Sequence, residues 1–565
     1  MRSRTAALAL FGVPGFVFFW LHQGPSRLPP KNLGWTIDGD WGQHVLGWLL
    51  FRNEPWSFPF GKLAHVAWPL GTSVGFTDSN LLMSLLLKPF SSWLPVDFQF
   101  IGFWFCLCFV LQGVFAGLLV KEMTPSRTAQ FLGACLFVVA PILHARMGHD
   151  TLCAHFTLLG LFWLHFRPCA SVRTAVRLLA WALGFTVLTV FIHPYLNGMV
   201  LGLSLALVAR LLFVDRVFGV ASALGALGVF VCAELLAVGS AGYLNGGIPA
   251  GAGGFGLISA DLLTLINPAG RSRFFPGWRL ERLKDEGFAY LGMGGLVLVA
   301  GAVVTFWKTR EQRAVTGRGA RLVPLAVASL LFAVFSLANH VTLAGKEILD
   351  LSVLYRPLGP LTGAFRASGR FTWALHYLLL ALALDLLFRG FSRIAWAGAS
   401  IAAVALALQL TDIDYQLSLK PLSQDFFHFQ DPRWELARGD YAHLALIPPV
   451  LHDGTWQGCP SPWPEPLYEP INYEAYRLGI TSNSFYVSRM DMARALEQCA
   501  TQTASVRAGM LDEGTVYVVH PEVMGDLTRT QRARCAILDR VPVCVAATRT
   551  DAFARSLENG LGSGG

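Results

Sequence analysis

The segment 35–44 places two carboxylates and an imidazole close together, in the sequence Trp-Thr-Ile-Asp-Gly-Asp-Trp-Gly-Gln-His. If a helix begins at Trp41, Asp40 occupies its N-cap position and is held rigidly by the first turn. Asp38 lies two residues away and can raise the pKa of Asp40 towards that of a general base. His44 would then stand one turn further along the same helix. In the structural alternative, Asp40 only caps the helix and Asp38 belongs to a turn.

A loop punctuated by glycine and proline, 68–80, ends at Asp78 directly before an apolar stretch. The carboxylate of Asp78 can bind an acceptor molecule or a divalent cation, for which carboxylate oxygens are suitable ligands. Capping of the following helix by Asp78 or Ser79 is the structural alternative. A second polar cluster, 144–150, forms a short turn between two apolar runs. There His149 is expected to hydrogen-bond a substrate or another loop rather than to bind a metal.

Two arginines four residues apart, Arg366 and Arg370, precede an apolar run and would share one face of a helix. A helix N-terminus attracts anions, and two guanidinium groups placed there can bind a phosphate in bidentate fashion. Lys346 and Arg356 lie upstream in the same loop and would add positive potential. Interfacial snorkelling of long basic side chains is the structural alternative. We interpret the pair as a phosphate clamp.

The elements that position these groups are membrane-spanning helices, because the composition excludes a soluble protein. Hydrophobic residues make up 54% of the 565 residues and charged residues only 14%, against about 25% charged in a typical soluble domain. The net charge of +8 is interpreted as an orientation signal rather than as a sign of nucleic-acid binding. Apolar runs of spanning length predict about eleven transmembrane helices, near 6–22, 98–120, 128–143, 151–166, 177–193, 195–214, 217–240, 288–307, 322–338, 371–388 and 394–411.

Basic residues set the predicted orientation. Lysine and arginine are about four-fold denser in the short links than in the long loops, which predicts a cytoplasmic N-terminus. With an odd number of spans, the C-terminal end lies outside. The long outer segments are then 23–97, 241–287 and 339–370. The stretch 79–95 is too short and interrupted to span, and it is predicted to be an interfacial or re-entrant helix.

The composition changes near residue 415, where charged and polar residues appear and apolar runs shorten. Residues 1–414 are therefore predicted to form an all-α polytopic membrane domain. Residues 415–556 are predicted to form a small soluble α/β domain on the outer side. Residues 557–565 are predicted to be a disordered tail.

Elements of the outer domain follow from its apolar patterning. Strands are predicted at 442–447, 515–519 and 543–547, and helices at 490–500 and 527–538. Four cysteines lie in this domain, where disulfides can form, and the sequence leaves three pairings open: they are Cys459, Cys499, Cys535 and Cys544.

Four stretches, in this order and all on the predicted outer side, together resemble a known family. The acidic motif 38–44, the loop 69–79, the turn 148–150 and the arginine segment 365–371 are similar to a bacterial branch of the GT-C superfamily. These are integral-membrane glycosyltransferases that use polyprenyl-phosphate sugars. The resemblance covers roughly residues 5–415. It implies an enzyme of the cell envelope, in the bacterial inner membrane, with its C-terminal domain in the periplasm.

The resemblance also implies a mechanism. An aspartate of the first outer loop is the catalytic base, a role carried over to Asp40 with Asp38 as the competing choice. The base removes a proton from an acceptor hydroxyl, which displaces the polyprenyl phosphate with inversion, and Arg366 and Arg370 hold the leaving phosphate. The other expected substrate-binding residues are His44, Asp78, His149 and Lys346. The spacing requires no cofactor, although a divalent cation, magnesium or manganese, is compatible with Asp38, Asp40 and Asp78.

The expected partners are the sugar donor, the bilayer and a glycan, lipid or protein acceptor, for example a surface polysaccharide. A transporter or flippase of a lipid-linked glycan would use the same phosphate clamp without chemistry, but it should carry polar residues deep in several spans. A glycan polymerase with a lipid-diphosphate donor is a further alternative. A non-enzymatic scaffold leaves the acidic and arginine pairs unexplained.

Overall fold

The computed structural model describes most of the chain. Outside the described residues lie 1, 38, 245–253, 279, 281, 310–316, 414, 416–421, 453–458, 460–461, 464–466 and 559–565. Asp38 is one of them, so its predicted role stays a prediction. The same holds for the disorder predicted for residues 559–565.

Helices make up most of the described chain. In chain order they are α1 (Arg2–His22), α2 (Gly39–Phe51), α3 (Leu81–Leu87), α4 (Ile101–Lys121), α5 (Arg127–Val138), α6 (Pro141–His144), α7 (Phe156–Phe166), α8 (Val172–Val190), α9 (Pro194–Ala209), α10 (Val220–Ala241), α11 (Gly292–Thr309), α12 (Gly317–Ser336), α13 (Ser352–Tyr355), α14 (Gly359–Ala364), α15 (Trp373–Gly390), α16 (Ala395–Asp412), α17 (Tyr468–Leu478), α18 (Met492–Arg507), α19 (Pro521–Thr530) and α20 (Ala552–Glu558).

The strands are short. They are β1 (Lys62–Leu63), β2 (Thr72–Ser73), β3 (His340–Leu343), β4 (Lys346–Asp350), β5 (His443–Ile447), β6 (Leu451–His452), β7 (Thr481–Ser482), β8 (Phe485–Tyr486), β9 (Thr515–Val519), β10 (Ala533–Leu538) and β11 (Val541–Ala546). One sheet has five strands in the order β10-β11-β9-β5-β7. The pairs β1-β2, β3-β4 and β6-β8 form two-stranded sheets.

Among the described residues, seven helical segments are long and apolar enough to cross a membrane, judged by length and composition. They are Ile101–Lys121, Arg127–His144, Val172–Val190, Pro194–Val214, Val220–Ala241, Gly317–Ser336 and Ser368–Gly390. The chain is therefore a multi-pass membrane protein. The other predicted spans fall on shorter apolar helices, namely Leu8–His22, Thr151–Phe166, Gly292–Trp307 and Trp396–Asp412. The predicted total of about eleven spans is not confirmed, and the orientation stays a prediction.

α3 lies in the stretch predicted to be interfacial. Its N-cap is Asn80, whose side chain accepts a hydrogen bond from the backbone N–H of Met83 at 3.1 Å. Leu86, Phe90 and Trp93 expose their side chains in and after this helix. An interfacial helix requires such an apolar face, and the membrane placement of 79–95 stays a prediction.

Backbone contacts divide the chain into two compact units. The helical unit comprises Met1–Pro29, Phe100–Ala237 and Ala250–Pro421. The mixed unit comprises Pro30–Gln99, Val238–Pro249 and Leu422–Gly565. Most of the segment 23–97 thus belongs to the same unit as the C-terminal residues. The domain boundary at residue 415 stays a prediction.

Close helix packing in the helical unit depends on small residues. A Cβ on Gly15 of α1 would overlap the carbonyl group of Phe109 in α4, and a Cβ on Gly113 would overlap the carbonyl oxygen of Phe11. Glycines at helix crossings let backbones approach where the hydrophobic effect between helices is weak. α1 and α4 therefore pack backbone against backbone.

The five-stranded sheet of the mixed unit has an apolar cluster on each face. β5 runs parallel to β7 and β9, whereas β11 runs antiparallel to β9 and β10. One cluster includes Trp434 and Phe553, and the other includes Val506 and Val523. Because strands buried on both faces have continuous apolar sequences, the three predicted strands were recognisable, and β5, β9 and β11 confirm them.

The helix predicted at 527–538 is wrong. α19 ends at Thr530, and the following residues form β10, which pairs with β11. The connecting residues Asp539 and Arg540 both have positive φ, 46° and 69°, as in the two-residue turns that match strand twist. This pair lacks the glycine that normally signals such a hairpin. Leu557, predicted to be the first residue of the disordered tail, is instead buried near the end of α20.

The four C-terminal cysteines form two disulfides, Cys459–Cys499 and Cys535–Cys544. The second bond joins residues that lie directly opposite each other on β10 and β11. The tertiary structure thus selects one of the three pairings that the sequence leaves open.

We expect loss of the Cys459–Cys499 bond to destabilise the protein more than loss of the Cys535–Cys544 bond. The bonds have sequence separations of 40 and 9, and closing the longer loop removes more entropy from the unfolded chain. The chain-entropy relation gives about 4 and about 3 kcal/mol, respectively. Thermal unfolding of the two double Cys→Ser variants, as full chains in detergent, measures the difference. Equal unfolding midpoints would contradict the expectation.

Candidate active site

Asp40 lies in the first turn of α2, because the helix begins at Gly39 rather than at Trp41. The expected N-cap position of Asp40 is therefore wrong. Gly39 has a φ of 53°, in the left-handed region that glycine adopts without strain. The half-buried Asp40 carboxylate belongs to the turn where the partial positive charge of the helix stabilises an anion.

The C-terminal residues of the mixed unit supply neighbours of Asp40. The Tyr468 hydroxyl donates a hydrogen bond to the Gly39 carbonyl at 2.8 Å. Burial raises the pKa of Tyr468 well above its ordinary value, and the charges of Glu469 and Asp40 contribute in the same direction. Tyr468 therefore keeps its proton and acts as a hydrogen-bond donor beside two carboxylates.

Glu469 is a neighbour of the candidate site that the sequence did not reveal. It is buried, with 7% of its surface exposed. Its Cγ would lie only 3.0 Å from a Cβ on Gly42, so the glycine in the first turns of α2 leaves the space that this side chain occupies. Nothing in the residues around Glu469 signals the contact, which arises from chain segments more than four hundred residues apart.

His44 is buried one turn after Asp40, as predicted. Its carbonyl oxygen accepts a hydrogen bond from the Ser79 hydroxyl. A ring nitrogen of His44 and a carboxylate oxygen of Asp78 lie within 4.8 Å of each other. The helix α2 can approach the 73–80 loop this closely because Gly47 has no Cβ, and a Cβ at this position would overlap the Ser79 side chain. The structure thus brings two of the predicted site residues together.

Asp78 does not cap α3, so the structural alternative for this residue is wrong. Asn80 is the cap, and Asp78 has a φ of 53°. This left-handed conformation ends the 3-10 turn Val74–Thr77, and aspartate adopts it more readily than most other side chains. Burial and the charge of Asp78 raise the pKa of Tyr243. A second protonated phenol therefore lies near a predicted site carboxylate.

In the helical unit, Arg146 and Arg370 share the carboxylate of Glu286. Its Oε2 atom accepts hydrogen bonds from Arg146 Nη1 at 2.6 Å and from Arg370 Nε at 2.8 Å. Burial alone would raise the pKa of Glu286, but the two guanidinium groups, with a contribution from His149, lower it well below its ordinary value. Glu286 therefore stays ionised. Two guanidinium groups thus share one carboxylate.

Aromatic rings support both arginines of this cluster. The guanidinium carbon of Arg370 lies 4.7 Å from the ring centre of Tyr195, and that of Arg146 lies 5.9 Å from the ring centre of Trp373. The Tyr195 hydroxyl accepts a hydrogen bond from the backbone N–H of Ala367 at 2.8 Å. The same tyrosine thus fixes the chain before α15 and stacks on an arginine of that segment.

Arg366 and Arg370 do not share a helix face, so this expectation is wrong. α14 ends at Ala364, Arg366 lies in the connecting turn, and Arg370 lies in a 3-10 turn, Ser368–Thr372, before α15. Arg366 is buried, and its Cδ would lie 3.5 Å from a Cβ on Gly254. The backbone departs from helical angles at Phe365 and Ala367, so the four-residue spacing of the arginines does not correspond to one helix turn.

The other predicted substrate-binding residues have different surroundings. His149 is half-buried and close enough to Glu286 to lower its pKa. Lys346 is exposed at the start of β4. Asp40 and Asp78, the described members of the predicted cation set, both belong to the mixed unit and lie near different tyrosines, Tyr468 and Tyr243.

One exposed group of side chains could bind a metal ion by geometry alone. Ligand atoms of His340, Glu347 and Asp350 lie within 4.8 Å of one another on the β3-β4 hairpin. His340 Nδ1 lies 3.2 Å from Glu347 Oε1. These side chains are largely exposed, and exposed acidic groups are common without an ion. We assign no function to this group.

Comparison with known proteins gives the family. Residues 11–414 match the family described as "Domain of unknown function (DUF6311)", and residues 433–546 match "DUF6311 C-terminal domain". The first match covers more than half of the chain, so the chain belongs to the DUF6311 family. No curated protein matches the chain.

One similar solved structure is the Archaeoglobus fulgidus oligosaccharyltransferase, crystallised with zinc and sulfate. The match has 12% sequence identity and a TM-score of 0.37, and it covers 94% of this chain and 71% of that chain. A likeness with so low a TM-score supports no inference about activity.

Glu286→Gln is expected to lower the midpoint of thermal unfolding in detergent, because it leaves Arg146 and Arg370 side by side without their shared carboxylate. Asp285→Asn is the matched control. Asp285 pairs with Arg271, and both side chains are 36% exposed, so its loss should matter less. Equal losses in the two variants would contradict a special role for the Glu286 cluster.

The difference between wild type and Glu286→Gln should also depend on pH. Since folding lowers the pKa of Glu286, its stabilising contribution is fully present above the ordinary glutamate pKa of 4.5 and is lost as the pH falls towards the lowered pKa. Unfolding midpoints measured from neutral to acidic pH should therefore converge at the acidic end. A constant difference would show that ionisation is not the cause.

Proposed function

We propose that this protein is a membrane glycosyltransferase that moves a sugar from a polyprenyl-phosphate donor to an acceptor hydroxyl with inversion. The observation that carries the proposal is the Arg146–Glu286–Arg370 cluster, in which two guanidinium groups share one carboxylate next to the start of α15. Such a group suits the phosphate of a lipid whose tail stays in the bilayer. The carboxylates of the mixed unit supply the base that glycosyl transfer needs.

Asp40 is the proposed general base. Its place in the first turn of a helix fixes the carboxylate, and the hydrogen bond from the Tyr468 hydroxyl to the Gly39 carbonyl holds that turn. Asp38 remains the competing choice. His44 and Asp78 are proposed to bind the acceptor. If the site uses a divalent cation, magnesium or manganese, the carboxylates of Asp38, Asp40 and Asp78 would be its ligands.

Arg370 and Arg366 are proposed to hold the leaving phosphate, with His149 and Lys346 as further contributors to donor binding. The shared carboxylate of Glu286 and the ring of Tyr195 fix the guanidinium of Arg370. Because the group does not reorganise during the reaction, its charge stabilises the leaving phosphate at little cost.

The proposed step is a single displacement. The acceptor oxygen forms a bond to the anomeric carbon while its proton moves to the Asp40 carboxylate. The bond between the anomeric carbon and the phosphate oxygen breaks, and polyprenyl phosphate leaves with the electron pair. The partners are thus a lipid-linked sugar and a glycan, lipid or protein acceptor, on the periplasmic side of a bacterial inner membrane.

A transporter or flippase of a lipid-linked glycan, or a polymerase with a lipid-diphosphate donor, would use the same arginines. A flippase has no use for the carboxylates beside Tyr468. Release of free lipid phosphate from synthetic polyprenyl-phosphate sugars by the purified protein tests the proposal directly. Movement of the donor across vesicles without its cleavage would favour transport instead.

Asp40→Asn is expected to reduce sugar transfer at least about 100-fold, since an amide cannot accept the acceptor proton. Asp38→Asn should retain most of the activity if Asp40 is the base. Asp97→Asn is the structural control, because the Asp97 carboxylate accepts a hydrogen bond from Tyr473 at 2.7 Å and an amide oxygen can still do so. Full activity of folded Asp40→Asn would remove the proposed base.

Arg370→Ala and Arg366→Ala are expected to raise the KM for the donor much more than the KM for the acceptor, because the lost guanidinium binds the donor phosphate. Arg271→Ala, which removes a partly exposed arginine of the same unit, is the matched control. An equal rise in both constants would indicate a structural role for these arginines.

A further inference from the structure

Residues 343–361 of the helical unit, here called the apolar segment, expose an unusual number of large apolar side chains. Each has between 40% and 70% of its surface accessible: Leu343, Ile348, Leu349, Val353, Leu354, Leu358 and Leu361. Single exposed apolar residues are normal on a protein surface. A contiguous group of them marks a surface that contacts another apolar phase or partner.

The β3-β4 hairpin gives a second indication that the segment lies in an apolar environment. Ile348 and Leu349 are neighbours on β4, where the pairing with β3 shifts between Val341 and Thr342 and leaves Ile348 as the extra residue of a bulge. Both are more than half exposed. A two-stranded hairpin is only marginally stable in water, and this one leaves two large apolar side chains of β4 exposed. The surroundings of the hairpin must therefore be partly apolar.

The ends of the apolar segment are tied to membrane-spanning helices. α12 ends at Ser336, shortly before the segment begins, and the spanning helix Ser368–Gly390 begins shortly after the segment ends. Along α12, the exposed side chains of Val327, Leu331 and Val334 carry apolar surface towards the start of the hairpin. The apolar segment is thus connected at both ends to helices that are long and apolar enough to span a membrane.

The charges of the apolar segment balance. Lys346 and Arg356 are offset by Glu347 and Asp350. Attraction to anionic lipid headgroups therefore cannot be the main force on this surface. Burial of apolar side chains is the remaining driving force, and it does not depend on lipid charge.

We propose that the apolar segment inserts into the interfacial layer of the lipid bilayer. Its apolar side chains enter the boundary between headgroups and acyl chains, to a depth of about 5–10 Å, as interfacial helices do. The occupant of this surface is therefore phospholipid rather than another protein. The inference does not depend on the proposed glycosyl transfer, because it concerns only where the segment lies.

Fluorescence quenching tests the insertion on the full chain. Ile348→Cys, Val353→Cys and Leu354→Cys are each prepared in a Cys232→Ser background, which removes an exposed free cysteine. Each is labelled with an environment-sensitive fluorophore and placed in phosphatidylcholine nanodiscs. Quenching by nitroxide-labelled lipid is then compared with quenching by a water-soluble nitroxide. Ile537→Cys, an exposed position on β10, is the control from the sheet of the mixed unit.

Insertion predicts that lipid nitroxide quenches the segment labels at least about two-fold more strongly than the soluble nitroxide does, with the nitroxide near the headgroup most effective. Added anionic lipid should change little. Stronger quenching by the soluble nitroxide would overturn the proposal, as would weak quenching by both, which indicates cover by protein. Each labelled variant is used only if its unfolding midpoint equals that of the background protein, so that the label reports on folded protein. Three positions are labelled so that the test still stands if one variant does not fold.

Discussion

The structure of the helical unit depends on one repeated interaction, a carboxylate shared by two arginines. A single charge in a membrane protein interior is costly unless it is paired and hydrogen-bonded. Three acidic residues meet this constraint in the described part of the unit: Glu286 with Arg146 and Arg370, Asp215 with Arg210 and Arg321, and Asp385 with Arg318 and Arg389.

These ionic groups tie helices together at defined points. Arg318 and Arg321, both near the start of α12, pair with acids from different parts of the unit. The helix α15 and its preceding turn carry Arg370 at one end and Asp385 near the other. Each of these acidic residues forms ion pairs with two arginines. Displacement of α12, or of α15 with its preceding turn, would therefore break more than one ion pair. The arginine cluster proposed to bind phosphate is thus part of the framework as well as a charged surface.

Sequence patterns located the main elements because those patterns are local. The continuous apolar run of β9 and the spanning lengths of α4 and α10 can be recognised from the local sequence, without knowledge of the segments they pack against. The helix start near Asp40 was foreseeable to within two residues, because the expected start at Trp41 compares with an observed start at Gly39. The helix predicted at 527–538 is wrong because residues 533–538 pair with the strand β11. The hairpin that joins the two strands lacks the glycine that would have signalled it in the sequence.

Site residues were predictable only in part, for the same reason. The residue types of Asp40, Asp78 and Arg370 marked them as candidates, but their partners Glu286, Tyr468 and Glu469 gave no local sign. Arg366 and Arg370 were expected on one helix face, which their spacing alone suggests. The helical conformation is interrupted between them. Within this interruption the Tyr195 hydroxyl accepts a hydrogen bond from the backbone N–H of Ala367.

The sequence by itself determined that this is a multi-pass membrane protein with a sheet-containing C-terminal part, because hydrophobicity and its period act over short stretches of chain. Only the tertiary structure decided which charges are shared, which cysteines are bonded and which tyrosines face the carboxylates. Those choices depend on desolvation and on distances of a few ångströms between residues far apart in the chain. No local pattern of residue types encodes such distances.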